Sequence, residues 1–520
     1  MVGQAATDGK KSRGRVVMLV DNGVNGDSRV QKAARSMAEA GWNVTLLGLS
    51  PDGKDRSWRI GAAAVKLLPV RRELRRRRLH LKRSWLRYPF SCPPGSAARR
   101  RLQLAQARRA DLRARSVARG RRFRVRGLVA KARLRWAELR LRHTEAAWAS
   151  ASEADRLGVR MSTAFWKTVR PTRCWRRLEP LLWSYELALG HTIDRLGPDV
   201  IHANDFRMLG VGARAKLRAR AAGRDVKLVW DAHEFLPGLV APNERWMTAH
   251  CAYEKEYAPH ADAVVTVSEG LADLLVTGHG LTERPAIVMN APVRTLTDEQ
   301  RDTPLGDLRE LCGIGPGTSL LAYCGGIAPQ RGVDVMVEAL PRLPGVHIAL
   351  VSLHKGKTTA DALTERAREL GVADRVHALP YVPHWQVPEF LATADLAVSP
   401  LLHLPNHEIA LSNKFFEYSQ ARLPLVVSDI RTMAAMVRAT GQGEVYRAGD
   451  LDDYVRAVRA VLADPDAYRA AYDKPDLLEN WTWEAQAEVL DGVYARVLPG
   501  VAPRFPQRTP EPATSETGVK

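Results

Sequence analysis

A chain of 520 residues, 45% apolar and 26% charged, has the balance of a globular protein and is too long for one hydrophobic core, so two or more domains are expected. Its formal charge of +21 is local: residues 71–145 hold 26 Lys or Arg against 4 Asp or Glu, and the remainder is close to neutral. Five dispersed cysteines (Cys92, Cys174, Cys251, Cys312 and Cys324) form no CxxC or Cys/His pairing, which argues against a disulfide framework or a zinc site.

Met1–Arg15 is polar and basic, without the apolar core of a signal peptide, and no apolar run approaches the ~18 residues of a spanning helix. A soluble or peripheral cytoplasmic protein is expected. Val16–Val20 reads as a buried strand and ends in the turn-rich DNGVNGD of residues 21–27. A helical pattern runs from about Arg29 to Ala40, Gly41 stops it, and Val44–Leu49 is the next strand. This βαβ opening, with both strands apolar throughout, is the pattern of a parallel sheet. It resumes at Asp199–His202, Lys227–Trp230 and Ala263–Val267, so a first lobe spans 14–295.

The basic stretch interrupts that lobe. Rich in Arg, Ala and Leu, it predicts helix, and helical character continues to about residue 190. Leu74, Leu79, Leu81, Trp85 and Leu86 interleave with the charge. A second α/β lobe, 315–480, begins at Ser319–Tyr323 and continues with strands at Val346–Ser352, Val376–Leu379, Leu396–Ser399 and Leu425–Ser428. The Gly- and Pro-rich 295–318 is the expected linker, 481–498 a closing helix, and 499–520 a disordered tail. Two doubly wound lobes facing a cleft result, and ligands in such sheets bind beyond the carboxyl ends of the strands.

The strongest motif is EIALSNKFFEYSQARLPLVVSD, Glu408–Asp429. Ser412 is placed to cap a helix that begins with Asn413 and Lys414 and runs to Arg422. A helix N-terminus beside a lysine suits a diphosphate, and Glu417, three residues on from Lys414, shares its face and suits a ribose diol. An ordinary surface Lys–Glu pair is the other reading of that spacing. In YCGGIAPQRG, Tyr323–Gly332, Gly325 and Gly326 permit close backbone approach and Arg331 can pair with phosphate. In KLVWDAHEF, His233 and Glu234 stand just past a buried strand. The loop NGVNGDSRV lacks GxGxxG and an acid ending the second strand, which argues against a dinucleotide cofactor.

Taken together and in this order, the motifs resemble those of retaining GT-B glycosyltransferases of family 4 (group 1), over about residues 14–50 and 196–495. The resemblance implies an α/β GT-B architecture: two Rossmann-like lobes with the Arg-rich helical insertion in the first. It implies donor binding by Gly325, Gly326, Arg331, Asn413, Lys414 and Glu417, with Gly26 lining the cleft and His233 facing the donor sugar. His202 is a weaker candidate for that role. The family's first glutamate falls at Ile409, so the adjacent Glu408 is the candidate to replace it.

The resemblance further implies sugar transfer from a nucleotide-sugar donor to a lipid-linked or glycan acceptor, with retention, no cofactor and no obligatory metal. Two Asp-x-Asp runs, Asp450/Asp452 and Asp464/Asp466, fall at expected helix starts, where aspartates cap. A nucleotide-sugar epimerase or phosphorylase on the same fold, or a non-catalytic scaffold, are the competing readings. Residues 71–145 are expected to meet an anionic membrane on its inner face. A solvated arm is the plainer alternative, and nucleic-acid binding lacks an accompanying base-reading motif.

Overall fold

The computed structural model describes residues 12–70, 90, 96–118, 124–152, 157–352, 359–409 and 411–505. Leu74, Leu79, Leu81, Trp85, Leu86 and Cys92, and the tail from residue 506, lie outside the described residues. The chain divides into two compact units, one of Met1–Val70, Ala188–Val240 and Glu254–Lys520, the other of Arg71–Leu187 and Ala241–Tyr253.

The larger unit holds two sheets. The first contains β1 (Arg15–Leu19), β2 (Asn43–Ser50), β3 (Arg56–Ile60), β4 (Ala63–Pro69), β5 (Val200–Asn204), β6 (Lys227–Asp231), β7 (Ala263–Thr266) and β8 (Ala286–Ile287), in the order β3-β4-β2-β1-β5-β6-β7-β8. Its pairings are parallel except β3–β4, an antiparallel hairpin at the sheet edge with Trp58 opposite Val65. Val16, Val17, Met18 and Leu19 are all at most 2% exposed, which is why β1 reads as an unbroken apolar run: helices cover both faces.

The second sheet contains β9 (Ser319–Cys324), β10 (Val346–Val351), β11 (Val376–Leu379), β12 (Leu396–Ser399), β13 (Leu425–Ser428) and β14 (Gly443–Tyr446), ordered β11-β10-β9-β12-β13-β14 and wholly parallel. Apolar clusters lie on its two sides, one around Phe415, Phe416 and Trp481, the other around Tyr323, Met336 and Tyr454. The order reverses between β9 and β12, and at such a switch point a crevice opens past the strand ends.

The segment expected as a bare linker carries two short helices, Asp298–Arg301 and Leu308–Cys312, each opened by a side-chain cap, Thr297 and Asp307. The C-terminal helix Trp483–Val497 does not close the second lobe. Trp483, Leu490, Val493 and Tyr494 join the core of the first. Its anchor is Asp491, fully buried, which accepts hydrogen bonds from Trp42 Nε1 at 2.7 Å, Arg13 Nη1 at 2.5 Å and the Arg504 amide at 2.7 Å.

The smaller unit is helical, with helices Ser96–Ala118, Arg124–Ser152 and Leu157–Val169. Trp175, wholly buried, packs edge-on to Tyr253 at 4.8 Å and against Trp183 at 5.0 Å. Among the described residues no helix is long and apolar enough to cross a membrane.

Removing one member of a buried charged network leaves the others desolvated and unpaired. Asp491→Ala should therefore lower unfolding stability by about 2–4 kcal/mol, less than a fully buried pair because Arg13 keeps some solvent. A shifted urea midpoint is the expected result; an unchanged one would mean that apolar packing alone holds the returning helix.

Candidate active site

The second lobe builds its half of the site where β9 ends. Gly325 has φ +130°, a backbone that other residues rarely adopt, and a Cβ there would lie 2.6 Å from Lys414 Cε, so a side chain would push that lysine from its place. Gly332 closes the same loop at φ +63°, where a Cβ would meet the Pro400 carbonyl at 2.1 Å. The loop between them is thereby laid against the end of β12. Lys414 Nζ sits 5.4 Å from the Tyr323 ring centroid, and the Tyr323 hydroxyl donates to the Gly326 carbonyl at 2.7 Å.

The electrostatics of this corner are uncompensated. Burial pushes the Lys414 ammonium down to about 8, with Arg331 adding to the effect and Glu417 opposing it. Burial raises the Glu417 carboxyl, against the pull of Lys414 and Lys32. Among the described residues, no hydrogen bond or ion pair engages the side chains of Arg331, Lys414 or Glu417. Two cations and a carboxylate without a hydrogen bond or ion pair can serve a ligand that carries both an anion and hydroxyls.

Asn413 and Lys414 open the helix Asn413–Gln420, as expected, but it ends two residues earlier than predicted, because Arg422 takes a left-handed turn at φ 55°. Ser412 stands at the cap position without capping, and its buried hydroxyl has no partner. Asn413 is exposed.

Glu408, on the short helix Pro405–Ile409, is held on two sides. Its Oε1 lies 2.6 Å from His403 Nδ1, and Oε2 accepts from the Arg431 amide at 2.8 Å. Ile409, at the family's first-glutamate position, accepts a hydrogen bond at its carbonyl from Ser268 Oγ. Asn406 Oδ1 accepts from the Phe235 amide at 3.0 Å. This segment of the second lobe is thus seated on the first.

The first lobe contributes an ion-paired core. Arg29, in the first turn of helix Ser28–Glu39, grips Asp231 at the end of β6 through Nε at 2.7 Å and Nη2 at 2.9 Å, and gives Nη1 to the Val288 carbonyl at 2.8 Å. Although burial opposes ionisation, Arg29 and the neighbouring histidines hold the Asp231 carboxyl well below the usual range. His233 Nδ1 lies 3.6 Å from Asp231 Oδ1. Burial opposes the His233 charge, yet Asp231 and Asp205 outweigh it and raise the imidazole to about 9.

His202 is wholly buried, with Nδ1 2.5 Å from the Tyr494 hydroxyl, and belongs to the core rather than the cleft. Gly26 lies exposed in the turn after β1 at φ +87°, with nothing near its α-carbon face.

The motifs alone do not single out Asp205. It sits just after β5 with φ +67°, a strained backbone for a non-glycine residue, and burial pushes its carboxyl up to about 7 although His233 pulls it down. Its position, the last residue of DVIHAND at Asp199–Asp205, is that of an acid just past a buried strand. Lys32 carries no such signal. It donates to the Ala291 carbonyl at 2.5 Å, lies 4.7 Å from the Trp483 ring centroid, and is lowered by burial to about 7. Both aspartate runs behave as caps: Asp450 accepts from the Asp453 amide and Asp464 from the Ala467 amide.

The chain is similar to known proteins. The family model described as "Glycosyl transferases group 1" matches residues 318–464, and that described as "Glycosyltransferase Family 4" matches residues 139–295. A D-inositol 3-phosphate glycosyltransferase of Nocardia farcinica is 28% identical over 224 residues, 42% of this chain; the match spans only 48% of that relative's length. A glycogen synthase of Mycobacterium tuberculosis is 26% identical over 64% of this chain and 78% of its own. Among solved structures, sucrose-phosphate synthase from Thermosynechococcus elongatus has a TM-score of 0.60 at 14% identity, covering 93% of this chain and 98% of its own. Anabaena HepE in complex with UDP and glucose has 0.56 at 12%, covering 93% and 100%. At such identities the structures establish the fold alone.

The raised His233 makes stability depend on pH. Its contribution is fully present below the unfolded value near 6.5 and is lost as pH rises through about 9. His233→Gln should flatten that fall. Thermal midpoints of the two proteins should differ more at pH 6 than at pH 10; a constant difference would dissociate His233 from its carboxylates.

Proposed function

This chain belongs to the group 1, family 4 glycosyltransferases of GT-B fold, and we propose that it moves a sugar from a nucleoside-diphosphate donor on its second lobe to an acceptor on its first. The observation that carries this reading is the unpartnered set Arg331, Lys414 and Glu417 beside Gly325. Glu417 accepts hydrogen bonds from the ribose hydroxyls; Lys414 and Arg331 meet the diphosphate. The UDP and UDP-glucose complexes of HepE support the donor class.

The transfer proceeds with retention. The bond from the anomeric carbon to the phosphate oxygen breaks while the acceptor oxygen bonds on the same face, and the acceptor's proton passes to the departing phosphate. Charge growing on that phosphate is met by groups already oriented before the reaction, which is where such stabilisation is largest. His233, protonated at neutral pH, donates to a hydroxyl of the donor sugar. Asp205, beside His233, helps to hold that charge. Glu408, through His403 and the Arg431 amide, fixes the loop beneath the sugar. The acceptor is lipid-linked or a glycan precursor, and the basic arm brings the protein to the inner face of an anionic membrane.

Glu417→Gln keeps the shape but weakens two charge-assisted hydrogen bonds, at a cost of about 1.5–3 kcal/mol in donor affinity. Calorimetry across a panel of nucleotide sugars measures it, and unchanged affinity would remove Glu417 from the ribose. Arg331→Ala and Lys414→Ala should weaken binding of the diphosphate and spare the free nucleoside; equal losses for both would place these side chains elsewhere.

With two cations at the diphosphate, no bridging metal is required. Turnover should survive EDTA. Activity abolished by EDTA and restored by manganese would contradict this arrangement.

A further inference from the structure

The helices Ser96–Ala118 and Arg124–Ser152 run alongside each other, and Arg99 reaches Glu145 at 3.4 Å, which brings the start of the first beside the later part of the second. Between them lies a groove of about 540 Å³, within the range of small-molecule sites. Arg101 and Arg108 line it from the first helix, and Arg126, Arg133 and Arg140 from the second. Within each helix these arginines recur every seven residues, a spacing that returns a side chain to nearly the same face.

Seam positions of a helical hairpin are ordinarily apolar, because each helix buries its apolar stripe on the other. Here the buried positions are Ala98, Ala130, Leu134 and Ala137, and the arginines flank them at the solvent edge, where guanidinium keeps its proton. With five arginines to one aspartate, the lining carries an excess of positive charge that favours an anion. Apart from Asp111, the rest of the lining is apolar: Leu104, Val129 and Trp136 are each close to half exposed, and Ala130 and Ala137 are buried. Phe90 stacks edge-on to Trp136 at 5.1 Å. Asp111 is the acid in the lining.

We propose that this groove binds one anionic phospholipid, with the phosphate among the arginines and an acyl chain along Leu104, Val129 and Trp136. Charge alone fits any polyanion, but the aliphatic floor favours a chain. Single-stranded nucleic acid stacks on successive aromatic platforms, and this floor offers one indole. The inference rests on the proposed membrane attachment and gives it a defined site, separate from the general attraction of a basic arm.

The test uses the full chain and two variants matched in charge. Arg108→Gln with Arg133→Gln alters the groove; Lys131→Gln with Arg135→Gln removes the same charge from residues outside its lining. In flotation with phosphatidylglycerol–phosphatidylcholine vesicles, the groove variant should bind about tenfold more weakly than the control variant, the loss of a charge-assisted contact. Monomeric dihexanoyl phosphatidylglycerol should raise the thermal midpoint of the wild type and the control variant and leave the groove variant unmoved. Bromine-labelled acyl chains should quench wild-type fluorescence more than that of Trp136→Phe.

Equal losses in both double variants, with equal thermal shifts, would overturn the groove and leave charge-driven attachment standing. A wild type that ignores vesicles, yet is stabilised by the short-chain lipid in a groove-dependent way, would overturn attachment and uphold the groove. Groove-dependent stabilisation by an oligonucleotide, without any by lipid, would overturn the proposal in favour of nucleic acid.

Discussion

The buried ion pair of Arg29 and Asp231 is the interaction on which the first lobe's half of the site depends. It ties the first turn of the first helix to the end of β6, and through Val288 to the strand-end segment leading to the second lobe. Its bidentate geometry keeps Asp231 ionised despite burial, and the ionised carboxylate in turn holds a charge on His233. A buried pair of this kind is weak evidence of stability, since desolvation offsets most of the attraction. Its effect here is positional: it fixes where a protonated imidazole stands at the strand ends.

The second lobe has the opposite design. At the end of β9, Arg331, Lys414 and Glu417 make no side-chain hydrogen bond or ion pair among the described residues, and Lys414 lies against Gly325. Such a corner costs stability by itself, and a ligand supplying an anion and hydroxyls would relieve that cost. The two designs meet through the segment Pro405–Ile409, whose Asn406 and Ile409 bond to the first lobe. A shift of this segment would move the Glu408 support and the lobe contact together.

Much of the fold is legible in the sequence because strands buried on both faces leave unbroken apolar runs: β9 to β13 fall within a residue or two of where the pattern places them. The edge strand β3 escapes notice because Arg56 and Arg59 break its apolar signal, as solvent-facing edge strands often do. β14 is hidden by its single buried residue, Tyr446. The destination of the last helix is not legible either, since amphipathicity marks a buried face without naming its partner. Around the second lobe's strand ends, Arg331, Lys414 and Glu417 stand out in the sequence through their motifs and the family resemblance, whereas Asp205 and Lys32 require tertiary structure: nothing local shows that a carboxyl sits beside His233 or that a lysine is enclosed by a returning tryptophan.

Everything proposed for the second lobe turns on a nucleoside diphosphate held between a carboxylate and two cations. A crystal structure of the protein with a bound nucleoside diphosphate sugar is the decisive observation. Both ribose hydroxyls are expected within hydrogen-bonding reach of the Glu417 carboxylate, and the diphosphate between Lys414 and Arg331, above Gly325. A diphosphate found instead on the turn around Gly26, with Glu417 facing only solvent, would overturn the assignment.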